Sequence, residues 1–173
     1  MNYETREYIN KLADCVRDVY KIPFPVEDMA PIVKEIGGEI EEKIDLNSYC
    51  DGTIRKISDN SFYIVISPTQ NRQRKNFTIA HELGHLFLHM GYGISKEVWE
   101  RQGEVEYRRF GESEQEYQAN EFAAALLMPR DIYLKEVSDL AINGTVDMEQ
   151  IARRFNVSLS AAINRGRFLG ILS

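Results

Sequence analysis

Apolar residues recur every three to four positions in several stretches of the chain, and this spacing is typical of amphipathic helices. The first stretch covers residues 3–20, and a shorter one at 26–36 is closed by Gly37 and Gly38. The pattern then changes to alternation, which is strongest in SFYIVIS at residues 61–67. We therefore predict two helices followed by a small antiparallel sheet, with strands at residues 38–44, 49–57 and 61–67.

The rest of the chain is predicted to be mostly helical. A long helix begins after Pro68, with Thr69 or Asn71 as its N-cap. Residues 91–111 are expected to be irregular or partly helical, and Pro129 stops the helix that follows them. The predicted helices cover residues 69–89, 112–128, 130–140, 148–155 and 159–169. Strands and helices in this order predict an α+β class.

Composition places the chain among soluble globular proteins. With 173 residues, 43% apolar and 28% charged, it can form a core without disulfides. The longest apolar run, residues 122–128, is too short to span a bilayer. The first residues lack the apolar stretch of a secretion signal, which favours a cytoplasmic location. The two cysteines, Cys15 and Cys50, form no CxxC pair and are expected to be reduced, which agrees with that location. The net charge of −6 argues against a surface that binds nucleic acid along its whole length.

Residues 81–85 read HELGH within the longest predicted helix. Because four residues make about one turn, His81 and His85 lie about 40° apart on one face and about 6 Å apart along the axis, so both imidazoles can reach one ion. The neighbouring Glu82 can take a proton from a metal-bound water without being a ligand. The motif arises by chance in roughly half a percent of chains of this length. The sequence therefore predicts a metal site.

A catalytic zinc site needs a third protein ligand. His89 is about 12 Å along the helix axis from His81, too far to share one ion, so we expect it to contact a ligand histidine or to pack. The chain has three histidines in all, which leaves the carboxylates of the next helix, Glu112, Glu114, Glu116 and Glu121. Glu116 is preferred because Asn120, four residues later, shares its face and can accept a ring N–H from His81 or His85. The first two carboxylates are explained as solvated charges near a helix N-terminus.

The run FTIAHELGHLFLH at residues 77–89, followed by EYQANEFAAALLMP at 116–129, resembles the ImmA/IrrE family of metallo-endopeptidases. The resemblance is strong over residues 64–129 and looser toward both ends. It implies a zincin-like fold, in which the metal-binding helix packs on the small antiparallel sheet, and metal binding by His81, His85 and Glu116. It also implies a helix-turn-helix repressor of a phage, mobile element or stress response as the protein substrate.

The residue that would stabilise the oxyanion is not identified by the motifs. The family pattern gives no residue-by-residue match between His89 and Glu116, so the group that stabilises the oxyanion is undecided among four residues, Tyr92, Tyr107, Arg108 and Tyr117. The basic run at residues 72–75 is expected to be a solvated helix start.

The sequence IARRFNVSLSAAINRGRFLG at residues 151–170 has the outline of a helix-turn-helix. Four arginines against two carboxylates after residue 146 give it a weak positive charge, so packing or partner docking is favoured over DNA binding. We therefore divide the chain into a zincin-like metallopeptidase domain at 1–143 and a helix-turn-helix-like extension at 144–173. The metal site is expected to form without the extension, because no candidate ligand lies beyond Glu116.

The hypothesis that follows is a zinc-dependent endopeptidase in which Glu82 moves the proton from the attacking water to the leaving amine. Manganese or another divalent metal would also suit two imidazoles and a carboxylate. Two alternatives are a regulator that binds and inactivates a repressor without cleaving it, and a DNA-binding regulator with a vestigial peptidase fold. Structural zinc usually has four protein ligands, so three ligands and a base favour hydrolysis.

Overall fold

The computed structural model describes residues 1–44, 51–102 and 114–172. Its elements in chain order are α1 Tyr3–Val19, α2 Ala30–Ile36, β1 Gly38–Glu42, β2 Gly52–Ser58, β3 Ser61–Ile66, α3 Arg72–Leu88, α4 Lys96–Arg101, α5 Glu114–Leu127, α6 Arg130–Leu140, α7 Met148–Phe155 and α8 Leu159–Phe168. A small sheet and a larger set of helices confirm the predicted α+β class.

The three strands form one sheet in the order β1-β3-β2. The central strand β3 pairs antiparallel with β2 and parallel with β1. The prediction of a wholly antiparallel sheet is therefore wrong for β1, because alternation identifies a strand but not the direction of its neighbour. Alternate residues of β3, namely Phe62, Ile64 and Ile66, are buried. Helix α3 packs against β2 and β3, so the predicted contact between the HELGH helix and the sheet is present.

Helix α2 begins later than predicted because the backbone before it bonds to side chains elsewhere. Asn76 on α3 accepts a hydrogen bond from the Met29 N–H at 3.1 Å and donates to the Val26 carbonyl at 3.4 Å. Asn156, between α7 and α8, donates to the same carbonyl at 3.1 Å. These backbone groups are thus satisfied without a helix, and the loop is fixed to α3 and to the C-terminal helix pair.

Helix α3 is the central helix of the fold. Its N-cap is Asn71, one of the two predicted candidates, whose side chain accepts from the Arg74 N–H. Helix α5 packs along it with unusually close backbones, since a Cβ added at Gly84 would lie 2.9 Å from the Ala119 Cα and 3.0 Å from its carbonyl oxygen. Glycine at this position therefore brings the HELGH segment directly against α5.

The C-terminal helix pair is joined to the rest of the molecule through Arg165 on α8. This arginine is 1% exposed, and its guanidinium donates to Glu121 on α5 at 3.0 Å, to Asn10 on α1 at 2.8 Å and to the Met128 carbonyl at 3.0 Å. Tyr133 on α6 donates to a carbonyl of α8, and its burial raises its pKa to about 12. The division of the chain after residue 143 stays a prediction, but a buried ion pair crosses it.

The predicted irregular stretch at 91–111 contains α4, whose N-cap Ser95 accepts from the Val98 N–H. Cys15 is exposed and unbridged, whereas Cys50 lies outside the described residues. Among the helices of the described ranges, none combines the length and apolarity required to cross a bilayer.

Candidate metal centre

Three residues predicted as metal ligands come together where α3 meets α5. His81 and His85 are 0% and 2% exposed, and their Nε2 atoms lie 3.0 Å apart. The Glu116 carboxylate faces both rings, with Oε2 at 3.3 Å from the Nε2 of His81 and Oε1 at 3.1 Å from that of His85. The three donor atoms all lie within 4.8 Å of one another. Two imidazole nitrogens and one carboxylate around a common point can hold a divalent metal.

The position of Glu116 follows from the close contact between the two helices. Glu116 lies in the first turn of α5 and precedes Ala119 by three residues, so both occupy one face of that helix. The Gly84 backbone meets Ala119 on the same face. The contact thus sets how near the carboxylate comes to the histidines of α3.

Asn120 orients His81. Its side-chain oxygen lies 2.9 Å from the Nδ1 of His81. Because an amide oxygen only accepts hydrogen bonds, Nδ1 carries the ring proton and Nε2 keeps its lone pair. The hydrogen bond expected from the spacing of Glu116 and Asn120 is present, and it directs Nε2 of His81 toward the carboxylate.

His85 is oriented by two successive hydrogen bonds, one to His89 and one from His89 to Gln118. Its Nδ1 lies 3.0 Å from the Nδ1 of His89, and the Nε2 of His89 lies 3.0 Å from the side-chain oxygen of Gln118 on α5. The acceptor oxygen places a proton on His89 Nε2, so His89 Nδ1 accepts from His85 and leaves the His85 Nε2 lone pair available. Burial lowers the pKa of His89, which favours this neutral form.

Sequence reasoning expected His89 to contact a ligand histidine or to pack, and the first of these is observed, but it missed Gln118. The only sequence signal for Gln118 is its place between Glu116 and Asn120 on the helix that supplies the carboxylate. A glutamine there is indistinguishable from a solvated side chain until the packing of α5 on α3 is known.

Glu82 is 1% exposed and lies on α3 next to His81. Its carboxylate approaches the start of β2, since a Cβ added at Gly52 would lie 3.1 Å from Oε1 of Glu82 and 2.6 Å from a methyl carbon of Thr78. The absence of a side chain at Gly52 leaves room for the carboxylate beneath the strand. A buried carboxylate adjacent to a ligand histidine suits a general base.

The remaining carboxylate candidates lie elsewhere. Oε1 of Glu121 accepts hydrogen bonds from Arg165 and Asn10, so this carboxylate belongs to the buried ion pair. Glu114 is exposed at the start of α5, as expected for a solvated charge, and Glu112 is outside the described residues.

Two of the four candidates for oxyanion stabilisation, Tyr92 and Tyr117, lie in the part of the chain that the structure describes. The Tyr92 hydroxyl donates to the Ile36 carbonyl at 2.8 Å, so its proton is engaged by the backbone. Tyr117 on α5 is 53% exposed and follows Glu116 directly. Tyr107 and Arg108 lie outside the described residues.

The basic run at the start of α3 forms no free positive patch. Arg74 pairs with Asp51 at 2.6 Å and Lys75 pairs with Glu42 at 2.6 Å. Arg72 lies 3.9 Å from a Glu27 carboxylate oxygen. These partly exposed pairs are consistent with the expected solvated helix start.

Comparison with known proteins identifies the family and supports the fold. A family model described as Peptidase_M78, IrrE N-terminal-like domain, matches residues 48–166, a region that extends into α8. No curated protein matches the chain. Among solved structures, a Mycobacterium tuberculosis transcriptional regulator is similar over 94% of this chain, with a TM-score of 0.57 and 16% identity. The chain spans 50% of the length of that regulator, and at this identity the similarity shows the fold alone.

Proposed function

Because the chain belongs to the Peptidase_M78 family of IrrE N-terminal-like domains, we propose that it is a zinc-dependent endopeptidase that cleaves a helix-turn-helix repressor. The observation that carries this proposal is the convergence of His81, His85 and Glu116, next to the buried carboxylate of Glu82. Three protein ligands with a base beside them are typical of a catalytic zinc site, whereas a structural site usually has four protein ligands. The choice of a repressor as substrate rests on the resemblance of the runs at residues 77–89 and 116–129 to the ImmA/IrrE family.

The donor set fits zinc, because each histidine presents Nε2 to the site while its Nδ1 is engaged by a neighbouring side chain. Manganese would also accept these donors. A zinc ion held by these residues would supply a Lewis acid for the scissile carbonyl and would increase the acidity of a water. The chain's own contribution is to hold the ion through three side chains and to move a proton, which Glu82 takes from the attacking water and returns to the leaving amine.

The direct test is incubation of the purified protein with the repressor encoded beside its gene, with and without a chelator. We expect two fragments of the repressor by mass spectrometry, and no fragments after metal removal. Loss of operator binding by an intact repressor would instead support the alternative of a regulator that acts by capture.

Replacement of Glu116 by alanine should release the metal. The expected loss of affinity exceeds about 100-fold, the upper range for residues that merely orient a ligand. Metal content after dialysis against a zinc buffer measures the effect. Glu114→Ala is the matched control, because Glu114 lies on the same helix but is exposed. Retention of metal by Glu116→Ala with loss in Glu114→Ala would show that the third ligand is misassigned.

Replacement of Gln118 by leucine should weaken zinc binding by about 10- to 100-fold, because His89 loses the acceptor that fixes its tautomer and hence that of His85. Gln118→Glu should retain affinity, since a carboxylate also only accepts hydrogen bonds. Competition with a fluorescent zinc chelator measures both variants. Equal affinity of Gln118→Leu and the unmodified protein would refute a positioning role for Gln118.

A further inference from the structure

A cleft of about 820 Å³ opens beside the metal centre. Helix α8 lines one side of it and the first half of α3 lines another, while α5 contributes Asn120, Glu121 and Ala124. Asn120 is also the acceptor for the ring N–H of His81. Asn120 thus belongs both to the cleft wall and to the residues that orient the metal ligands, so the cleft adjoins the metal centre.

Two of the three guanidinium groups that line the cleft are paired with carboxylates. Arg74 pairs with Asp51 at 2.6 Å, and Arg165 pairs with Glu121 at 3.0 Å. The guanidinium of Arg6 lies over the ring of Phe168, 5.2 Å from its centroid. The charge of Arg6 is therefore left over, one net positive charge among the side chains of the cleft. This disfavours a basic occupant and is too small to select a strongly acidic one, so an uncharged occupant fits best.

The cleft also has exposed aromatic surface. Phe168 on α8 is 50% exposed and Tyr117 on α5 is 53% exposed, and both line it. Phe77 on α3 lines it as well. Exposed aromatic rings around a concave site are suited to apolar side chains of a partner.

One buried acceptor in the cleft lacks a donor. Oε1 of Glu121 accepts from Arg165 and Asn10, whereas no donor among residues 1–44, 51–102 and 114–172 reaches its buried Oε2. The Glu121 side chain is 2% exposed and lines the cleft. A buried carboxylate oxygen gains from a hydrogen bond, so an occupant that offers an N–H or O–H would be held there.

We propose that this cleft holds a neutral, extended segment of the protein substrate beside the scissile bond. Apolar side chains of the segment pack on Phe77 and Phe168, and one N–H or O–H is donated to Oε2 of Glu121. This inference rests on the proposed function, because it takes the metal centre as the site of cleavage. Helix α8, the second helix of the helix-turn-helix-like pair, then forms a wall of the substrate site.

The test compares tryptophan at two exposed positions of α8. Asn164 lines the cleft and Leu159 does not. Both changes are made in the zinc-loaded full chain carrying Glu82→Gln, which is expected to bind without cleaving. The probe is an equimolar library of randomised synthetic decapeptides, and bound peptides are identified by mass spectrometry. Enriched peptides should be neutral and apolar. Asn164→Trp should weaken their binding at least about tenfold, and Leu159→Trp should leave it unchanged.

Metal content and thermal unfolding check that the variants are folded, and Ser160→Trp repeats the test from a second exposed position on the cleft wall. Equal binding by the Asn164 and Leu159 variants, enrichment of strongly charged peptides, or no binding at all would overturn the inference. So would binding of duplex DNA that Asn164→Trp abolishes.

The same peptides are then incubated with the zinc-loaded protein that retains Glu82. If they bind in an Asn164-dependent manner and are never cleaved, the proposed function fails while the cleft assignment stands. If they are cleaved at equal rates by the protein with and without Asn164→Trp, the cleft assignment fails while the peptidase stands.

Discussion

Replacing Glu82 with glutamine should reduce the rate of substrate cleavage by about 10²- to 10⁴-fold, the usual contribution of a general base. Glutamine keeps the shape of the side chain beneath β2 and leaves His81, His85 and Glu116 untouched, but it cannot take a proton from the attacking water. Zinc content should stay at the level of the unmodified protein. The rate is measured from a time course of cleavage of the repressor encoded beside the gene, with equal zinc content in both proteins.

The same chemical change at Glu114, which is exposed on α5, is the control and should leave the rate unchanged. If Glu82→Gln inactivates the repressor as well as the unmodified protein does, hydrolysis is not the mechanism. The capture hypothesis would then account for the activity.

Replacing Arg165 with methionine should lower the free energy of unfolding by about 3 to 5 kcal/mol, because the Glu121 carboxylate loses its buried partner. Asn10 would still donate one hydrogen bond to Glu121, but it brings no charge. Denaturant titration followed by circular dichroism measures the change. Arg167→Met is the matched control, since Arg167 lies on the same helix and is exposed.

Adding Glu121→Leu to Arg165→Met should recover much of the loss, because an apolar pair can replace a buried ion pair at small net cost. If Arg165→Met and Arg167→Met unfold at the same denaturant concentration, the ion pair does not join the two segments energetically.

The contacts of Arg165 also change the expectation for a chain truncated after Asn143. From the sequence, such a fragment should keep its metal site because all proposed ligands are present. The structure shows that truncation also removes the partner of Glu121, which lies on the same helix as Glu116. We now expect the fragment to be strongly destabilised.

The sequence predicts the features that depend on neighbours along the chain. The helical periodicity locates α3 and α5, and the spacing of His81 and His85 places both rings on one face. Glu116 and Asn120 were identifiable because a ligand and its supporting amide recur one turn apart. The structure brings these side chains together.

What the sequence does not predict depends on contacts between distant segments. The parallel pairing of β1 with β3 leaves no mark in the alternation of either strand. The late start of α2 depends on Asn76 and Asn156, which are far along the chain. Gln118 and Arg165 look like ordinary polar helix residues, and their roles follow from what α5 packs against.

The contact between Gly84 and Ala119 suggests a way to alter ion-size selectivity without changing any donor residue. The atoms that a side chain at position 84 would meet first are backbone atoms of Ala119, which cannot rotate away. Gly84→Ala should therefore displace α5 as a body and carry the Glu116 carboxylate outward from the two imidazoles. A wider cage suits cations of larger ionic radius, so the substituted protein should bind manganese better relative to zinc, and competition between the two ions would measure the shift.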